Sequence, residues 1–212
     1  MLPSTTLFLG TTASLAIIHT FLGVDHTLPF VALARAREWS LTRTLFVTFL
    51  CGVGHVASSV AIGLFGIGLG ITTESMLWLE SARGEFAASL LFGFGFTYAA
   101  WAMWRRIRSQ ESSSHSGFQS VTPWALFVVF VLGPCEPLIP LMVVPGLQGD
   151  WFGVAAVVSV FGLLTIAVMM ATVAAAYRGV GVITSHGFGS YSDVAAGLVV
   201  AASGAAVLWF GL

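Results

Sequence analysis

Lysine is absent from this 212-residue chain, and only 8% of its residues are charged. Soluble domains carry about 25% charge, so a water-facing globular fold is excluded. Eight arginines and a net charge of −1 leave no basic surface for nucleic acid, and no such partner is expected. Cysteine is scarce too. Cys51 and Cys135 are too few for a disulfide scaffold and form no CxxC, so they leave the redox compartment open. The first residues lack the basic region and small-residue cleavage site of a secretory signal, and 5–21 read as the start of a retained span. What fills the chain is apolar: 57% of it, the composition of a polytopic membrane protein.

Six hydrophobic segments emerge, near 5–33, 44–71, 85–104, 122–147, 152–177 and 190–212. Each has about 20 residues or more, enough for ~30 Å of hydrocarbon at ~1.5 Å rise per residue. The loops at 34–43, 105–121 and 178–189 hold seven arginines, whereas 72–84 and 148–151 hold only Arg83. The positive-inside rule places the arginine-bearing loops in the cytoplasm and both termini on the non-cytoplasmic side of a prokaryotic inner or plasma membrane. Trp39, Trp78, Trp101, Trp104 and Trp151 fall near the membrane edges.

The serine-rich 107–121 stretch reads as a flexible cytoplasmic linker between two three-helix units, 1–106 and 122–212. Three spans per half is an odd number, so similar halves would lie in opposite orientations. The halves do carry matching stretches. Leu22-Gly23-Val24-Asp25-His26-Thr27-Leu28-Pro29 corresponds to Leu132-Gly133-Pro134-Cys135-Glu136-Pro137-Leu138-Ile139, and Gly52-Val53-Gly54-His55 to Gly162-Leu163-Leu164-Thr165 at the same offset. The expected fold is all-α: six transmembrane helices as two inverted repeats, with the first and fourth helices broken. Matching breaks that carry polar groups mark a site near the midplane between repeats.

The chemistry sits at those breaks. Pro29 removes an amide donor and frees the carbonyl of Asp25, and Gly23 loosens the backbone, so the helix is expected to unwind there. Asp25 with His26, and His19 one heptad earlier, make a carboxylate–imidazole set suited to a borderline divalent cation. Hydrogen bonding between Asp25 and His26, or to a neighbouring helix, is the plainer alternative. His55 lies among helix-packing glycines, with Cys51 one turn before it and Thr165 as its repeat counterpart. Cys51 suits a small core hydrophobe as well as a cavity. The three prolines of 134–140 forbid a straight helix, and Cys135 and Glu136 within them add a thiolate and a carboxylate. His115 and His186 fall in loops and receive no role.

These residues resemble known families. His19-x5-Asp25-His26 resembles the HX4DH signature of the nickel/cobalt permeases (the NicO/NiCoT group), with one extra residue. Gly54-His55 followed by Ser58 and Ser59 is similar to their second-helix Gly-His-Ser motif. The run from Pro134-Cys135 through Pro137-Leu138-Ile139-Pro140 looks like the proline-and-cysteine break of the CcdA/DsbD transmembrane electron carriers. The resemblance implies inverted three-helix halves. CcdA-type carriers place one cysteine in the first helix of each repeat, but here the first-half counterpart of Cys135 is Asp25.

The sequence therefore points to a carrier, not an enzyme, for a divalent transition metal (nickel, cobalt or zinc class), which is its substrate; no organic cofactor is expected. Asp25, His26 and Glu136 would be direct ligands, His55 and Cys135 would stand close behind, and His19 would guard access. Thr165 and Cys51 are secondary. Metal binding would displace protons from these groups. Membrane lipid is the expected surrounding, with a homodimer open to it. Two alternatives stay open: a thiol-disulfide electron carrier, which needs the Cα atoms of Cys51 and Cys135 within about 7 Å, and an exporter of a small sulfur-containing or organic anion. The latter would want arginine in the cavity, yet all eight arginines are expected in loops or at helix ends.

Overall fold

The computed structural model of the chain describes residues 3–108, 121–135, 137–183 and 191–210. These form helices α1 (Pro3–Leu22), α2 (Leu28–Ala36), α3 (Leu41–Gly68), α4 (Thr73–Arg108), α5 (Val121–Leu132), α6 (Leu138–Leu147), α7 (Trp151–Ile183) and α8 (Ser192–Phe210), with no strand among the described residues. Four of them, α3, α4, α7 and α8, are long and apolar enough to cross a membrane. The count becomes five if α1 and α2, bent by 74° at their junction, are one broken span. Taken singly, α5 and α6 are too short.

Both expected breaks are present. Between α1 and α2 the chain tightens into one 3-10 turn, Val24–His26. Between α5 and α6 the prolines interrupt the helix after Leu132. Elsewhere the expected boundaries need correcting. The segment read as loop 72–84 is helical, because α4 begins at Thr73 and runs to Arg108. Glu80 and Arg83 therefore lie inside a helix, and Glu80 is fully buried. An acid and a base three residues apart neutralise each other, so charge that looked like a loop is accommodated within apolar packing. Trp39 is buried, and its carbonyl accepts a hydrogen bond from Tyr177 Oη. The linker expected at 107–121 lies largely outside the described residues, as do His115 and His186.

Helix ends follow local chemistry. Ser40 caps α3 by accepting from the Arg43 amide. Gly70, at φ 65°, closes α3, with the Ile71 amide reaching back to the Gly66 carbonyl. Asp150 Oδ1 accepts from the Gly153 amide and starts α7.

The contacts also define two ends of the bundle. At one, Arg35 lies over the Tyr177 ring at 4.1 Å, Arg37 lies 5.0 Å from the Tyr98 ring, and Arg105 reaches Asp193 at 3.4 Å. The C-terminal ends of α2, α4 and α7 thus meet the start of α8. At the other end Ile67 fills the space beside Gly146, and Pro145 packs at Gly153. Within the bundle α1 packs on α7, α5 on α3, α3 on α7, and α4 on α8. The α4–α8 contact is backbone on backbone: a Cβ on Gly95 would lie 2.3 Å from Ala201 N, and one on Gly197 2.6 Å from Ala99 N.

Candidate metal centre

Three histidines from three segments converge. His19 comes from the last turn of α1, His26 from the 3-10 turn, and His55 from the middle of α3. Their candidate ligand atoms all lie within 4.8 Å of one another. The His26 ring stands 5.2 Å from that of His19 and 5.3 Å from that of His55, both edge-on. Only the break brings His19 and His26 together, by turning the chain back within a few residues.

Glycines make the convergence possible. A Cβ on Gly23 would fall 2.1 Å from His26 Nδ1, so the residue leaves room for the imidazole as well as loosening the backbone. A Cβ on Gly54 would lie 2.7 Å from Val131, and one on Gly52 3.3 Å from Ile166, so these two seat α5 and α7 on either flank of His55.

The hydrogen bonding is unusual for a buried group. His19 Nε2, both ring nitrogens of His26, His55 Nε2, Asp25 Oδ1 and Thr165 Oγ1 are buried and have no hydrogen-bond partner among the described residues. Each such atom costs roughly 1–3 kcal/mol if it stays unmet. Asp25 Oδ1 and His26 Nδ1 are 3.3 Å apart, an electrostatic pair without hydrogen-bond geometry. His55 Nδ1 is the exception, 3.3 Å from the Phe130 carbonyl oxygen. A carbonyl only accepts, so Nδ1 carries the proton and Nε2 keeps a lone pair for a ligand. Such a bond is the usual device that orients a metal-binding imidazole.

The second break reaches the same place with its backbone. A cavity of about 30 Å³ is lined by Asp25 and His55 on one side and Gly133 and Pro134 on the other. That is room for a water or two. Cys135 is buried in an apolar cluster with Ala16, Val56, Leu138 and Phe161, and the Phe161 ring lies 6.5 Å from that of His19. Glu136 lies outside the described residues. Cys51 belongs to a different apolar cluster, and neither cysteine is in a disulfide. Thr165 follows Phe161 by one turn of α7, and Thr172, two turns further, accepts a hydrogen bond from Thr27 at 3.0 Å. This stripe of α7 therefore runs along the first break.

Sequence reasoning missed the Glu80–Arg83 pair. Arg83 corrects the expectation that every arginine lies in a loop or at a helix end. It stands half-buried inside α4, bonded to Glu80, Ser58 and the carbonyls of Val131, Leu132 and Gly133. The signal was present as Glu-x-x-Arg beside a hydrophobic run. Comparison with protein-family models, with curated proteins and with solved structures finds no match to this chain.

Proposed function

We propose that the protein is a membrane carrier for a divalent transition-metal ion of the nickel, cobalt or zinc class, bound by His19, His26 and His55 with Asp25 at hand. The observation that carries this reading is the set of buried imidazole nitrogens facing one another without partners among the described residues. Three imidazoles suit a borderline ion and leave further coordination positions open. Nitrogens ~2.1 Å from a tetrahedral ion sit about 3.4 Å apart. The observed group, spread over up to 4.8 Å, closes to that spacing by small side-chain rotations. Asp25 and the small cavity beside it would supply an oxygen donor or water.

The arrangement supports transport over static storage. The site lies where two broken helices meet, the usual setting of midplane sites in carriers. With 12 and 10 residues, α5 and α6 end to end supply about 33 Å, enough to cross ~30 Å of hydrocarbon as a sixth span. Helix order repeats as broken, long, long in each half, and α1-on-α7 is matched by α5-on-α3, as an inverted pair requires. The rivals have less to stand on. Cys51 and Cys135 sit in separate clusters, and the Arg83 guanidinium is committed to backbone carbonyls, with little left for an anionic substrate.

The test is cobalt, nickel and zinc titration of the purified protein in nanodiscs, followed by uptake into proteoliposomes. One ion should bind per chain, and Co²⁺ should show the intense visible bands of low coordination. His26→Ala and His55→Ala should each weaken binding by at least about a hundredfold, beyond the loss typical of an outer-shell change. Equal metal content in the wild type and both variants would overturn the assignment.

A further inference from the structure

A helix leaves its last four carbonyls without intrahelical donors, and α5 must resolve this inside apolar packing. The Val129 carbonyl accepts from the Gly133 amide at 2.8 Å. The same amide also reaches the Phe130 carbonyl at 3.2 Å, and two side chains serve the next four carbonyls. The Phe130 carbonyl faces His55 Nδ1 at 3.3 Å. Those of Val131, Leu132 and Gly133 accept from Arg83, at 3.3, 3.2 and 2.8 Å. One end of the broken helix thus orients a candidate ligand and is held by a cation.

The far side of the break is held by the same group. The Cys135 amide donates to Ser59 Oγ at 3.1 Å and to Glu80 Oε2 at 3.2 Å. Ser59 in turn donates to Glu80, and Arg83 pairs with Glu80 and donates to Ser58. Ser58 and Ser59 lie one turn after His55 on α3. A Cβ on Gly133 would lie 3.4 Å from His55 Nδ1, so the clamped backbone is itself a wall of the site.

We infer that Glu80 and Arg83, with Ser58 and Ser59, clamp the second helix break beside His55, and that Arg83 is thereby a positioning residue for ion binding. The inference deepens the carrier reading and rests on it for the ion. The physical case is that a guanidinium offers five donors in a planar fork, which a single ammonium point charge does not reproduce. Without Arg83, three carbonyls lose their donor, α5 can rotate, and the Phe130 carbonyl no longer fixes the His55 tautomer and orientation. Nothing about the clamp requires contact between Arg83 and the ion.

Two readouts test it in nanodiscs. The first is maleimide labelling of Cys135, with Cys51 as internal standard, because Cys135 lies in the clamped break and Cys51 in a separate cluster. The second is Co²⁺ affinity and absorption. In Arg83→Gln, Cys135 should label about ten- to a hundredfold faster, the opening expected from lost charged hydrogen bonds, while Cys51 keeps its wild-type rate. Co²⁺ affinity should fall and its band shape change. Arg83→Lys should recover part of both effects, and it carries the test if Arg83→Gln does not accumulate. Unchanged protection of Cys135 would overturn the clamp. Equal acceleration at both cysteines would do the same, since it marks general unfolding. Selective unmasking of Cys135 with an unaltered Co²⁺ spectrum would overturn the positioning role. If the wild-type protein takes up no Co²⁺, the carrier reading fails, and the cysteine readout alone decides the clamp.

Discussion

At the scale of single residues, the site depends on absent side chains as much as on present ones. Gly23 is the clearest case. Even a methyl group there would collide with the His26 ring, so Gly23→Ala should weaken metal binding as His26→Ala does, although every ligand remains. Isothermal titration with Zn²⁺ measures this, and wild-type affinity in Gly23→Ala would contradict the geometry. Glu38 offers a test of stability away from the site. It ends α2 at φ 52°, with the Trp39 amide bonded to the Ala34 carbonyl, in a left-handed conformation that costs a side-chain-bearing residue about 1–2 kcal/mol. Glu38→Gly should recover about half of that or more in reversible denaturation. How legible were these residues? His19, His26 and His55 stood out because a polar ring in an apolar run is conspicuous. That Gly23 serves the His26 ring was hidden, since the sequence gives its backbone freedom and not the neighbour that needs its space.

At the scale of elements, both breaks were legible because proline acts locally: it removes a donor and fixes φ wherever it stands. The start of α4 was not. Glu74, Glu80 and Arg83 counted as loop charges, and only the tertiary partners on α3 and α5 show that two of them belong in the interior. The α4–α8 contact was equally hidden, as small residues in a membrane helix are common packing material. It yields a paired prediction. Gly95→Ala should cost about 1–3 kcal/mol by overpacking against Ala201, whereas Gly93→Ala, with nothing within 4 Å of its Cβ, should be neutral or stabilising by up to about 1 kcal/mol through helix propensity. Unfolding of both variants in mixed micelles reads the difference.

At the scale of the whole molecule, the arginines are unevenly placed along the bundle. Arg35, Arg37 and Arg105 meet at one end with Tyr177, Tyr98 and Asp193, and moving Arg83 into α4 leaves the opposite turns with no arginine at all among the described residues. The positive-inside rule then predicts that Gly70→Cys is labelled by an impermeant reagent from the non-cytoplasmic side and Ser40→Cys only after permeabilisation. The reverse pattern would invert the protein.

The glycine seam between α4 and α8 bears on how such a molecule could move. Backbones that touch with no intervening side chains have no rotamers to exchange, so sliding one past the other would break the fit all along the seam at once. These two helices are therefore bound to travel as a single slab. On the carrier reading proposed above, a switch of the histidine site from one face of the bilayer to the other would fall to the broken helices and to α3 and α7, against that slab as the stator.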